Sequence, residues 1–182
     1  MSFSFIQKLR NKIKVDKSSS ITIEKSVKIV GSTVLIRGNN NRLTVDENTR
    51  LRNMSIEIIG DNCSVKIGKN CMIGDGYYLS VKEGTHLVIG DGCGLSRNIK
   101  LMTSDGHPIF RDGKRINEAK DIVLGSYIWI ADNVTILKGV KIGDRSVVGI
   151  NSTVTKDVPS ASIAVGNPAK VVQENIEWRD KF

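Results

Sequence analysis

The sequence predicts an all-β chain wound as a three-sided coil of short parallel strands. Three observations point there. From residue 124 onward the chain falls into six unbroken hexads: LGSYIW, IADNVT, ILKGVK, IGDRSV, VGINST and VTKDVP. Their first positions are Leu124, Ile130, Ile136, Ile142, Val148 and Val154, and their fifth are Ile128, Val134, Val140, Ser146, Ser152 and Val158. A period of six fits neither the 3.6 of a helix nor plain strand alternation. Second, the same frame recurs upstream as Ile59-Gly-Asp-Asn-Cys63, Ile67-Gly-Lys-Asn-Cys71, Ile73-Gly-Asp-Gly-Tyr77 and Ile89-Gly-Asp-Gly-Cys93. Third, aromatics are only 5% of the chain, which implies a narrow interior of aliphatic and small side chains. Segments that turn a corner every six residues satisfy all three. Three segments close a triangle, and stacked triangles put each lead residue on the axis.

Taken in order, residues 1–19 open with Phe5, Ile6, Leu9 and Ile13 on one helical face and lysines and arginine around it. That pattern predicts a capping helix over the first coil, with weak membrane-surface contact as the other reading of a basic amphipathic segment. Residues 20–172 form the coil. Its first turns are less regular: Ile21/Ile23, Val27/Ile29, Val34/Ile36, Leu43/Val45 and Ile56/Ile58 alternate like short strands. With 18 residues per turn, about seven coils at the β-spacing of about 4.8 Å give a prism about 35 Å long. Gly at the second hexad position and Asn or Asp after it suit corners with unusual backbone angles. The phase breaks once: Leu124 follows Leu101 by 23 residues, which is no multiple of six. Residues 103–121, polar and rich in Gly and charge, leave the prism as an excursion loop. Residues 173–182 are a short helical or irregular tail.

Composition narrows the function. The 182 residues make one domain, and 40% hydrophobic with 25% charged residues describes a folded chain. The apolar runs are too short for a membrane span, and MSFSFIQKLRNKIKV lacks a secretory signal's apolar core. The net charge of +8 comes from basic residues scattered along the chain with few aromatics among them, so nucleic-acid binding is not indicated. Cys63, Cys71 and Cys93 are odd in number, without C-x-x-C, at positions that want a small inward side chain. They predict neither disulfide nor zinc site, and a cytoplasmic setting. Two histidines, His86 and His107, exclude a three-His metal site from one chain, so no metal is expected.

The stretch MTSDGHPI, followed by the loop and by YIWIADNVTILKGVKIGDRSVVGINSTVTKDVPSASIAVGNPAKVV, resembles the active-site half of the hexapeptide-repeat sugar O-acetyltransferases, which include galactoside and polysialic acid or capsule enzymes. The resemblance covers roughly residues 56–172. It implies a left-handed parallel β-helix, a homotrimer with active sites in the clefts between subunits, and acetyl-CoA as acyl donor. His107 matches the family's general base, and imidazole is suited to take a sugar hydroxyl's proton near neutral pH. Trp129, at the outward sixth hexad position, matches an aromatic beside the pantetheine and the acceptor. Ala131, Asp132, Gly149 and Ile150 match positions along the pantetheine arm, Thr155 and Lys156 the nucleotide end, and Lys170 a basic residue near the ribose phosphate. Ala131 stands where Gly is usual and Ile150 where Ala is common. Asp105 either orients the His107 ring, binds sugar or stabilises the turn. Tyr77, at a position that wants a small residue, either swells a corner or faces an acceptor. His86 carries no matching motif. The expected activity is O-acetylation of a saccharide, such as a bacterial surface glycan; N-acetylation of an amino sugar and a non-catalytic scaffold are the alternatives.

Overall fold

The computed structural model describes residues 11–179, and these build three sides of stacked parallel strands that the chain visits in turn. The first side runs through Lys12–Val15, Thr33–Arg37, Met54–Ile59, Tyr77–Lys82, Lys100–Met102, Thr135–Leu137 and Thr153–Val154. The second holds Ser20–Ile23, Arg42–Val45, Ser64–Ile67, His86–Ile89, Ile122–Leu124 and Lys141–Ile142. The third holds Lys28–Val30, Arg50–Arg52, Met72–Ile73, Gly94–Leu95, Trp129–Ile130, Val147–Val148 and Ser162–Gly166. This is the β-helix the hexads predict, consistent with the left-handed course that the resemblance implies. Among the described residues no helix is long and apolar enough to cross a membrane.

The interior is a set of aliphatic columns. On the first side Ile13, Val34, Ile56, Leu79, Leu101, Ile136 and Val154 stand in register, one per coil. On the third, Ile29, Leu51, Ile73, Leu95, Ile130, Val148 and Ala164 do the same. The three cysteines are buried and free at inward corners, as their hexad position predicts. Burial pushes the Cys63 thiol up, which leaves it protonated and inert.

The coil length differs from the expected 18 residues. In the first half the register advances 22 residues per turn: Ser20 beside Arg42, Arg42 beside Ser64, Ser64 beside His86. Only beyond the excursion does it fall to 18, with Thr135 beside Thr153 and Trp129 beside Val147. The early first and second sides each carry two inward side chains, such as Val34 with Ile36 and Leu43 with Val45. The later ones carry one each, Ile136 and Ile142. Adding two residues to a strand keeps the pleat in phase, so a wider coil stacks on a narrower one without turning side chains inside out. Ile59 accordingly is only half-buried, and its neighbour Ile58 is the inward residue.

Both ends depart from expectation. Residues 12–15, placed in the capping helix, form a strand paired with Thr33–Arg37. An exposed edge of backbone groups pairs more favourably than it is capped, and Ile13 thereby joins the column. The remainder of that helix and its membrane-surface contact fall on residues 1–10, outside the described residues. The coil ends at Gly166 instead of Val172. Ala169–Glu174 turns back antiparallel along Ser162–Gly166, after a turn through Gly166 (φ 103°) and Pro168. Proline has no N–H with which to continue the parallel ladder.

The excursion of residues 103–121 leaves at the corner between the first and second sides, and across it the register jumps by 35 residues, from His86 to Asp121. Its neck is closed by the Lys120 N–H donating to the Thr103 carbonyl at 2.9 Å. Its tip is a two-stranded hairpin, Phe110–Arg111 with Lys114–Arg115, across Asp112 and Gly113 at φ 50° and 72°. Two consecutive left-handed residues make the turn that Asp-Gly favours.

Candidate active site

The excursion is ordered by a polar network that starts from Asn117, a nearly buried residue. Its side-chain N–H groups donate to the His107 carbonyl at 2.9 Å and to an Asp105 carboxylate oxygen at 2.8 Å. Its side-chain oxygen accepts the Ile109 N–H at 2.7 Å. Lys138, from the coil above, donates to the same Asp105 oxygen at 2.5 Å and to the Asn117 carbonyl at 2.9 Å. On the other flank Glu83 receives Arg115 at 2.7 Å and the Ser104 hydroxyl at 2.6 Å. The loop backbone carrying His107 is thus pinned from both sides. The His107 side chain is exposed, and among the described residues its imidazole has no hydrogen-bond partner. Asp105 does not orient the ring. Its Oδ2 accepts from Lys138 and Asn117, which holds the turn, while the side chain remains 41% exposed.

Lys138 holds the Asp105 carboxyl below the usual carboxylate range, reinforced by Asn117. A depressed carboxyl contributes stability above its unfolded value, and that contribution disappears as pH falls through the folded value. Acidification below about pH 4 should therefore loosen the loop before the coils. The expected outcome is a loss of amide protection at Ile109, relative to the intrinsic exchange rate, on acidification of the wild type, and a smaller loss in Asp105→Asn, where only the Glu83 contribution remains. Glu83, held low by Arg115 and Ser104, acts in the same direction on the other flank.

Trp129 is 43% exposed and lies in a groove of about 580 Å³ on the third side. Ala131, Asp132 and Ile150 line the same groove, so four of the expected donor positions converge. Asp132 is already paired: its carboxylate takes Arg97 through Nε at 3.1 Å, Nη2 at 2.6 Å and the backbone N–H at 2.9 Å. Arg97 keeps it ionised, with its pKa lowered. Gly149 lies beside Ile150, where a Cβ would come 2.6 Å from a Val165 methyl. Thr155 and Lys156 follow the strand Thr153–Val154, exposed and outside the groove. Lys170 is exposed on the returning strand, opposite Val165. Tyr77 does not face an acceptor. It is 2% exposed, its hydroxyl donates to the Ser96 carbonyl at 3.0 Å, and burial raises its pKa. The wide coil at this level has room for its ring. His86 lies on the second side with Nδ1 2.8 Å from the Ser64 hydroxyl, and only its backbone N–H meets the excursion, donating to Asp121 at 2.8 Å.

The imidazole and the Trp129 groove do not meet within one chain. His107 leaves at the corner between the first and second sides, and Trp129 sits on the third, across the prism. Sequence reasoning missed the residue that sits on Trp129: Trp178, whose ring centroid is 6.2 Å away at an interplanar angle of 43°. It also missed Asn117, Lys138, Arg50 and Arg52. Trp178 had a signal, since it is one of only two tryptophans. The others are polar residues whose roles depend on which coil lies above or below.

No family model matches the chain. Individual relatives do. The chain is 40% identical over 160 residues to a polysialic acid O-acetyltransferase of Escherichia coli O1:K1 / APEC, a match covering 87% of this chain and 44% of that protein. It is 34% identical over 171 residues to the polysialic acid O-acetyltransferase of Neisseria meningitidis, covering 92% and 79% respectively. The chain thus spans less than half the length of the first of these relatives and most of the second. Among solved structures, the polySia-specific acetyltransferase NeuO superposes with a TM-score of 0.87 at 40% identity, over 90% of this chain and 70% of that one. A hexapeptide-repeat acetyltransferase of Vibrio cholerae O1 biovar eltor, complexed with acetyl coenzyme A, gives 0.53 at 31% identity over 60% of each chain.

Proposed function

The chain belongs to the hexapeptide-repeat acyltransferase family, in its saccharide O-acetyltransferase branch, and on that premise we propose that it transfers an acetyl group from acetyl-CoA to a hydroxyl of an acidic surface glycan. The observation that carries this reading is the Trp129 groove, where an exposed aromatic, two apolar side chains at Ala131 and Ile150 and a run of coil-edge backbone lie together. That combination suits a pantetheine arm, which is apolar along its length and carries amides to pair with backbone groups. The acetyl-CoA complex of the Vibrio relative supports the choice of donor.

In the proposed reaction the His107 imidazole takes the proton of the sugar hydroxyl as its oxygen attacks the thioester carbonyl carbon. The tetrahedral oxyanion collapses, the carbon–sulfur bond breaks, and the departing thiolate receives the proton. Acceptor oxygen and acetyl group end joined, with no acyl-enzyme. Because one chain holds His107 and Trp129 on different sides, the reading requires a second copy to bring its His107 to this groove, as in a trimer. Lys156 and Lys170 are assigned to the donor's phosphates.

An acidic acceptor is supported by the far end of the groove. Arg50, Met72, Gly94 and Trp129 stand in register on successive coils, which puts Arg50 about 14 Å from Trp129 at the β-spacing. Arg52 lines the groove beside it, 3.6 Å from the Asp75 carboxylate on one edge and otherwise exposed. A single sugar ring is too short to reach both ends, whereas an oligosaccharide carrying carboxylates reaches them. The test is thiol release from acetyl-CoA with sialic acid oligomers, uronic acid oligomers and neutral maltooligosaccharides. Release with an acidic oligomer and not with the neutral series is expected. No release with any glycan would leave a scaffold.

A further inference from the structure

The corner between the second and third sides recurs at Asn48, Asn70, Gly92, Tyr127, Arg145 and Ala161, all with φ between 52° and 64°. From Asn70 onward each N–H donates to a carbonyl of the preceding coil. Asn and Gly adopt this left-handed conformation readily, while a bulky aromatic does not. Tyr127 does not recover the strain by burial, since it is 54% exposed. The coil below accommodates it with Gly92, where a Cβ would lie 2.7 Å from the Tyr127 ring. Arg145 and Ala161 adopt the same backbone angle, so the conformation belongs to the corner; what sets Tyr127 apart is a large exposed ring seated over a glycine at a position filled elsewhere by Asn, Gly, Arg or Ala.

A second observation meets it there. The C-terminal segment returns across this corner, with the Ile176 N–H donating to the Ala161 carbonyl at 2.9 Å. The Trp178 indole N–H then donates to the Tyr127 carbonyl at 2.8 Å. Tyr127 and Trp178 wall a cleft of about 490 Å³ whose lining includes Gly92 and Gly94, with Asn70, Arg145 and Glu177 supplying polar groups. Met72 lines both this cleft and the Trp129 groove, so the two adjoin.

We propose that this cleft is a second saccharide subsite, holding the sugar unit next to the one that is acetylated. The apolar C–H face of a pyranose fits against aromatic rings, and its hydroxyls suit the Asn70 amide and the Arg145 guanidinium. The cleft lies at the second-side edge of the third side. Ala131, Asp132 and Ile150, assigned to the donor, lie at the opposite edge, towards the first side. The occupant is therefore part of the acceptor. This inference rests on the glycan acetyltransferase reading above.

The test uses Tyr127→Asn, the residue type found at Asn48 and Asn70. Relief of strain should leave the thermal midpoint unchanged or higher. For a glycan the wild type acetylates, KM for the oligomer should rise about tenfold, the order of one aromatic contact. KM for the single sugar unit and for acetyl-CoA should not move. Because the chain has two tryptophans, Trp129→Phe leaves Trp178 as the sole emitter. Its fluorescence should respond saturably to the oligomer. Equal KM values in Tyr127→Asn, a shift confined to acetyl-CoA, or a collapse in stability would each overturn the subsite while the acetyltransferase reading stands. Absence of thiol release with every glycan would overturn both.

Discussion

His107→Ala is expected to lower turnover by about 10²–10⁴-fold, the usual contribution of general-base assistance. The variant isolates chemistry from structure unusually well. The loop is held by the His107 carbonyl, through Asn117, and not by the ring. Alanine keeps that carbonyl, so the fold and the loop should be unchanged. Acetyl-CoA affinity should also be unchanged, because the base acts on the acceptor's proton in the transition state. Turnover within threefold of wild type would remove His107 from the mechanism. Loss of acetyl-CoA binding alongside turnover would move it from base to binding residue.

Leu101→Ala should cost about 2–5 kcal/mol of folding stability, read as a lower denaturant midpoint. Leu101 is fully buried on the last first-side strand before the excursion. Leu79 stands below it and Ile136 above. Each coil of a solenoid contacts only its own residues and its neighbours, so few side chains can move to fill the cavity. The variant also tests the 35-residue step in register. A loss below about 1 kcal/mol would mean that Leu101 does not lie between those neighbours, and that the loop takes off elsewhere.

Much of the architecture is legible in residue order because its cause is local. Lead residues such as Ile130, Ile136 and Ile142 must face inward whatever lies above them, and the inward corners must take small groups such as Cys71 and Cys93. The 22-residue early coils were not legible through a hexad frame. Two added residues preserve the inward–outward alternation, so the pattern of Val34/Ile36 and Leu43/Val45 reads as irregular hexads instead of a longer repeat. The Asp112-Gly113 hairpin was available as a turn signal within a stretch otherwise read as loop. Tyr77 is a misfit at a small-residue position only in an 18-residue coil; the 22-residue coil has room for its ring.

The site divides along the same line. His107 and Trp129 stand out from their place in the repeat, one in the phase break and one at an outward position. Asp105 shows the limit. Its partner Lys138 is 33 residues away, on the coil above, and no local pattern announces that pairing. Trp178 reaches Trp129 only because the chain reverses after Gly166, and Tyr127 is seen to be strained only from its backbone angle. By itself the sequence determined the period, the inward faces and the point where the loop departs, since each follows from side chains a few residues apart. The tertiary structure alone decided coil width, loop anchoring and the aromatic cleft, because these depend on contacts between residues that stacking makes neighbours.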